Sequence, residues 1–375
     1  MGSVVSSCLE SIPPWTEFFP PTPQAYAFCL NTFQYFPLVS LAQWLVSFHP
    51  AGKTSLHRSR LNLPGPLAWC LMEIIGPVNL LYILTTLPPA INISALPLWN
   101  KLVAALYVIH YINRAIINPF FAAPSMSPIH VFIMFSAMAF NWFNSTCLAG
   151  WLVGYQTAVT DGYRVDGRQA LRSTGPENGV QMYAPLVGLG VFMVGMLGNI
   201  YAERTLYRLR REEADRRVRE REEKEGKTTN GGSVTSPPST SPEEEERKKN
   251  KYHKVYVIPP ARGVFRSILY PHYVFEWLEW VGFALAGTAV FPSRNPVIPT
   301  TYATPPITLA PWLRPAAALA DRFQVPLPLP ALLFVVNAIA NMLPHARWGR
   351  KWYVEKFGEK GVQGRGAVVP WLKWL

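Results

Sequence analysis

Apolar runs and polar breaks alternate along this chain with a period suited to a membrane. Seven stretches of roughly 20 predominantly apolar residues are long enough to cross a hydrocarbon core about 30 Å thick. They cover residues 26–48, 67–87, 98–120, 129–155, 183–206, 268–291 and 327–344. The pattern predicts an all-α, polytopic membrane protein built as a seven-transmembrane-helix bundle. Basic residues outnumber acids in segment 52–60, in the loop after the fifth run and in the tail after the seventh, whereas segment 88–97 has no charge. With seven spans these three basic segments share one side, so the N-terminus is expected to be lumenal and the C-terminus cytosolic.

The organisation follows from the runs. Residues 1–25 form a lumenal N-terminal segment without the basic-then-apolar layout of a cleaved signal peptide. Residues 26–206 carry spans one to five, and 207–254 form a charged, disordered cytosolic insertion. Residues 255–375 hold spans six and seven with a cytosolic tail. Within the insertion, REEADRRVREREEKE reads as a solvated helical extension of the fifth span. Glu212 is expected to pair with Arg216, Glu213 with Arg217 and Asp215 with Arg219. The Pro-rich stretch 291–326 is expected to pack irregularly over the lumenal end of the bundle.

Composition sharpens the membrane reading. Of 375 residues 49% are hydrophobic and only 15% charged, against about a quarter charged in soluble domains. The net charge of +12 falls beside apolar runs, as orientation in a bilayer requires, so no nucleic-acid partner is expected. Four cysteines without CxxC spacing exclude a disulfide framework and a zinc site. Gly188, Gly190, Gly195 and Gly198 lack the spacing of a dinucleotide loop and no strand precedes them; they read as small residues that let helices approach closely. Asn92 and Asn144 match the glycosylation sequon, but one lies in a very short loop and the other inside a span.

Polar residues at membrane depth carry the candidate chemistry, since they mark function there and a charge costs roughly 2.5–3.5 kcal/mol on insertion scales. Glu73 interrupts the second span. His110, Tyr111, Asn113, Arg114 and Asn118 interrupt the third, with Tyr111 and Arg114 on one helical face. Asn199, Glu203 and Tyr207 form an i, i+4 ladder that runs into Arg208 and Arg210. Glu276 and Glu279 lie in YVFEWLEWVGF. Such an array fits either a membrane enzyme or a scaffold or lipid transporter; the lack of paired half-helix breaks argues against transport.

The motifs HYINR, GNIYAERTLYRLR, YVIPPARGVF, YPHYVFEWLEWVGFALA and RKWYVEKFGEK, closing with GRGAVVPWLKWL, resemble in order and position those of the steroid 5α-reductase family. Polyprenol reductases and very-long-chain enoyl-CoA reductases belong to the same superfamily. The resemblance implies an NADPH-dependent reductase of the endoplasmic reticulum membrane, acting on the conjugated C=C of a Δ4-3-oxosteroid or related enone lipid. A monomer is expected. It assigns Glu73 and Tyr111 to the substrate carbonyl and Trp69 to the substrate slot. Arg114, Asn199, Glu203, Arg210, Tyr256, His272, Glu276, Arg350 and Tyr353 fall on cofactor positions. The chain departs from the pattern in three places: AAPSMSP replaces basic residues after the third span, His345 stands where Arg is expected, and Arg350 where His is expected. The chemistry needs hydrogen-bond donors aimed at an oxygen that gains charge; Glu73 would serve as one if burial in an apolar helix kept it protonated.

Overall fold

The computed structural model describes residues 12–45, 59–157, 159–160, 179–229, 250–252, 255–290, 303–323 and 327–373. Helices dominate. They are α1 (Pro23–Phe33), α2 (Phe36–Leu45), α3 (Gly65–Ala90), α4 (Leu98–Tyr111), α5 (Val131–Val153), α6 (Gly179–Thr229), α7 (Pro271–Ala286), α8 (Arg314–Phe323) and α9 (Leu329–Val362). A π-helix, Ile112–Ala122, follows α4 without a break. Strands β1 (Asn62–Leu63) and β2 (Ile129–His130) pair antiparallel and tie the start of α3 to the start of α5.

Among the described residues four helices are long and apolar enough to cross a membrane: α3, α5, α9 and residues 182–223 of α6. The described parts of the other three expected spans are also mostly helical, but each is interrupted. The first divides between α1 and α2 at Gln34 and Tyr35. The third changes from α to π geometry after Tyr111. The sixth ends its α-helix at Ala286 and continues as the 3-10 turn Gly287–Ala289. The fifth and seventh run on as helix past their apolar stretches, α6 to Thr229 and α9 to Val362 with a kink at Gly358. Large apolar side chains stay exposed on the outer faces, among them Leu41, Leu45, Phe121, Leu186 and Val194, as befits lipid-facing positions.

Packing inside the bundle depends on small residues along α6. A Cβ at Gly188 would collide with the Ala286 backbone, one at Gly195 with the Glu279 backbone, and one at Gly198 with the Phe275 ring; Gly282 of α7 meets the Phe192 backbone in the same way. α6 and α7 thus touch backbone to backbone, which brings Asn199 beside Glu276. Gly190 differs from the expectation, since nothing lies within 4 Å of a Cβ there. The main core gathers Tyr26, Leu30, Tyr107, Leu148, Trp280, Phe283 and Phe334 among others. Asn144 is fully buried and donates to the Tyr107 hydroxyl at 3.3 Å, out of reach of any modifying enzyme.

Two outer segments differ in detail from the sequence reading. The described part of the Pro-rich stretch includes the helix α8, favoured by its alanines. It packs Ile307, Leu309, Ala310 and Leu313 into the core, and the Gln34 side chain holds it through Thr308 O and Ala310 N. On the extension of α6, Glu213 does bind Arg217 (2.7 Å), but Arg216 pairs with Glu213 (2.9 Å) and Glu220 (2.6 Å) rather than Glu212. Asp215 binds Lys251 at 2.9 Å instead of Arg219: the returning chain brings a cation to it. Residues 230–249, the body of the predicted insertion, lie outside the described residues.

Candidate active site

Arg114 is the centre of the polar array. It lies in the π-helix, and its guanidinium spans two carboxylates from different helices. Nε stands 3.3 Å from Glu73 Oε1 of α3, and Nη1 stands 3.1 Å from Glu276 Oε2 of α7. Trp69 supports this arrangement twice over. Its indole Nε1–H donates to the Arg114 carbonyl at 3.0 Å, and the guanidinium carbon sits 5.1 Å from its ring centroid, within cation–π range. Trp69 is half-buried.

Asn141 of α5 completes the arrangement on one side. Its Nδ2 donates to the Met72 carbonyl (2.7 Å) and lies 3.3 Å from Glu73 Oε2. With the amide nitrogen so engaged, Oδ1 faces the Tyr111 hydroxyl, which donates to it at 2.7 Å. Glu73 therefore accepts on both oxygens. Arg114 and Asn141, rather than apolar side chains, are the groups that meet its carboxyl oxygens. The sequence reading missed Asn141, although it satisfies the same test of a polar group inside an apolar run.

On the other side, Asn199 Nδ2 lies 3.3 Å from Glu276 Oε2, and Asn118 Nδ2 donates to Glu203 Oε2 at 3.1 Å. Tyr111, Asn141, Glu73, Arg114, Glu276 and Asn199 thus form one continuous network across six helical elements, with the Asn118–Glu203 pair beside it. The amide oxygens of Asn118 and Asn199 are buried and have no hydrogen-bond partner among the described residues. Orphaned acceptors of this kind call for a donor from elsewhere. Carboxamide and ribose hydroxyl groups are donors that would fit, so these residues suit a nicotinamide dinucleotide.

The remaining candidates sit elsewhere. Arg210 of α6 donates to the Ser125 carbonyl and Oγ at 3.0 and 2.8 Å. It thereby anchors the AAPSMSP segment. Tyr256 packs edge-on against Trp352, with ring centroids 4.9 Å apart. His272 stacks beside Tyr270 and Tyr273. Tyr353 is buried against Tyr270 and Phe357, and Arg350 donates from Nε to the Arg365 carbonyl at 2.9 Å. These last four lie around the junction of α7, α9 and the C-terminal tail.

A family model described as 3-oxo-5-alpha-steroid 4-dehydrogenase matches residues 239–293, the segment that contains His272, Glu276 and Glu279. The chain is 26% identical over 324 residues to an uncharacterized protein of Schizosaccharomyces pombe, covering 84% of this chain and 86% of that one. It is 25% identical over 360 residues to Steroid 5-alpha-reductase DET2 of Arabidopsis thaliana, covering 92% and 96%. The Gossypium hirsutum protein of the same name is 24% identical over 356 residues, covering 92% and 97%. The C-terminal family match and the near full-length likeness to plant steroid 5α-reductases together bear out the resemblance to the steroid 5α-reductase family.

Proposed function

We propose that the chain is an NADPH-dependent membrane reductase of a Δ4-3-oxosteroid or related enone lipid, acting at the endoplasmic reticulum. The bridge from Glu73 through Arg114 to Glu276 is the observation that carries this reading. It ties the residues implied for the substrate carbonyl to those implied for the cofactor. When bound, NADPH supplies the hydride for the β-carbon of the enone. Charge then builds on the carbonyl oxygen, and a donor fixed there in advance stabilises it strongly in a site shielded from water. Tyr111 is that donor: its one hydroxyl proton, directed at Asn141 in this structure, turns to the carbonyl oxygen when substrate binds, and Glu73 holds both Asn141 and Arg114 in place. The guanidinium of Arg114 keeps two carboxylates from repelling one another and sets the spacing between the two halves of the site.

The test is to incubate membranes containing the full chain with NADPH and a panel of 3-oxo-4-ene steroids, polyprenols and trans-2-enoyl-CoAs. A saturated steroid product with matching NADPH oxidation is expected. Reduction of only a polyprenol or an enoyl-CoA would move the chain to another branch of the superfamily. No NADPH-dependent product from any of them would reject the reductase reading.

A further inference from the structure

Beyond the apolar half of α9 lies a cavity of about 280 Å³ lined by Arg347, Trp348, Arg350, Lys351, Glu359 and Lys373. Four cations face one carboxylate, an excess of three positive charges. The side chain of Arg350 is only 8% exposed. Its Nε is engaged by the Arg365 carbonyl, but its Nη2 has no hydrogen-bond partner among the described residues. The Glu359 carboxylate forms an ion pair with it at 3.6 Å, too long for a hydrogen bond. A buried guanidinium N–H left in this state costs free energy, and an anion in the cavity would satisfy it.

Two of the other cations, Arg347 and Lys351, are held in place by aromatic rings. The Arg347 guanidinium lies 5.3 Å from the Trp44 ring and 5.6 Å from the Trp348 ring, and the Lys351 ammonium lies 5.2 Å from Trp348. Gln43 Nε2 donates to Asn341 Oδ1 at 3.0 Å and so fixes α2 against α9. Trp44 is flanked on α2 by Leu41 and Leu45, exposed by 55% and 87%. Tryptophans between exposed leucines and a basic cluster mark the level of lipid headgroups. An arginine fork is also suited to phosphate oxygens.

We propose that this cavity binds the phosphate of an anionic phospholipid headgroup, with Arg350 as the buried donor and Arg347, Lys351 and Lys373 around it. The proposal does not rest on the reductase reading. It takes Arg350 as a lipid contact, where the family resemblance points to the cofactor. The full chain, purified in neutral detergent, is titrated with short-chain phosphatidic acid, phosphatidylcholine of the same chain length, inorganic phosphate and NADP+. Bound species are read by native mass spectrometry and by displacement of a fluorescent phosphatidic acid. Phosphatidic acid is expected to bind, with phosphatidylcholine and inorganic phosphate at least about tenfold weaker and no displacement by NADP+. Lys351→Gln combined with Lys373→Gln is expected to weaken phosphatidic acid by at least about tenfold without lowering the thermal midpoint. Should that variant fail to fold, Lys373→Gln alone, at an exposed position in the tail, carries the same comparison. Equal binding of phosphatidylcholine or inorganic phosphate, displacement by NADP+, or full affinity in the folded variants would overturn the proposal.

Discussion

His110 Nδ1 lies 2.8 Å from Glu279 Oε1, and the two side chains are 3% and 0% exposed. This pair joins α4 to α7 one turn from the Arg114–Glu276 bridge, with the Trp280 ring centroid 4.4 Å from the imidazole. The second oxygen of Glu279 has no hydrogen-bond partner among the described residues. A buried charged or strongly polar pair is worth less than its loss of one member costs, because the survivor is stranded. Glu279→Leu alone should therefore destabilise the protein by about 3–5 kcal/mol. The double variant His110→Leu with Glu279→Leu should recover much of that loss. Thermal unfolding of detergent-purified protein, run as a double-mutant cycle, checks this. Purely additive effects would show that the pair does not act as a unit.

The division of the site into a carbonyl half and a cofactor half makes a kinetic prediction. Tyr111→Phe removes the hydroxyl that donates to Asn141 and should lower turnover of an enone by about 10²–10³-fold, with NADPH binding retained. Arg114→Lys keeps the charge but loses the planar fork that reaches both Glu73 and Glu276, so it should impair turnover and NADPH binding together. Steady-state kinetics alongside direct NADPH titration separate the two. Loss of cofactor binding in Tyr111→Phe would contradict the assignment.

Helix packing supplies a third test, independent of activity. Gly195→Ala places a methyl against the Glu279 backbone, whereas Gly190→Ala points into open space. The first should cost about 1–3 kcal/mol through overpacking. The second should be neutral or stabilise by up to about 1 kcal/mol, since alanine is the better helix former. Melting temperatures of the two variants decide it, and equal behaviour would mean that α6 and α7 are not in close contact.

Much of this was readable from sequence because a bilayer imposes a simple code. Apolar length marked the helices, and polar residues within them marked the network around Arg114. The interruptions were not readable. The division at Gln34 and Tyr35, the π geometry after Tyr111 and the early end of α7 at Ala286 depend on what each segment packs against. Asn141 lies among aromatics in AFNWFN, where sequence alone does not separate it from Asn144, a structural partner of Tyr107. Asp215 was matched to a neighbour four residues away, whereas its cation, Lys251, comes from 36 residues along the chain. Local spacing cannot anticipate a partner brought back by the fold.

The π-helix from Ile112 to Ala122 has one more consequence. Its i→i+5 bonding packs more residues into each turn than α4 does, so the third span changes phase just after Tyr111. Loss of one residue within it could be absorbed by reverting to ordinary α geometry. Both flanks would then keep their phase, Tyr111 toward Asn141 and Asn118 toward Glu203. The third span thus holds slack between the two halves of the site, where a change of length can be taken up without disturbing the tyrosine.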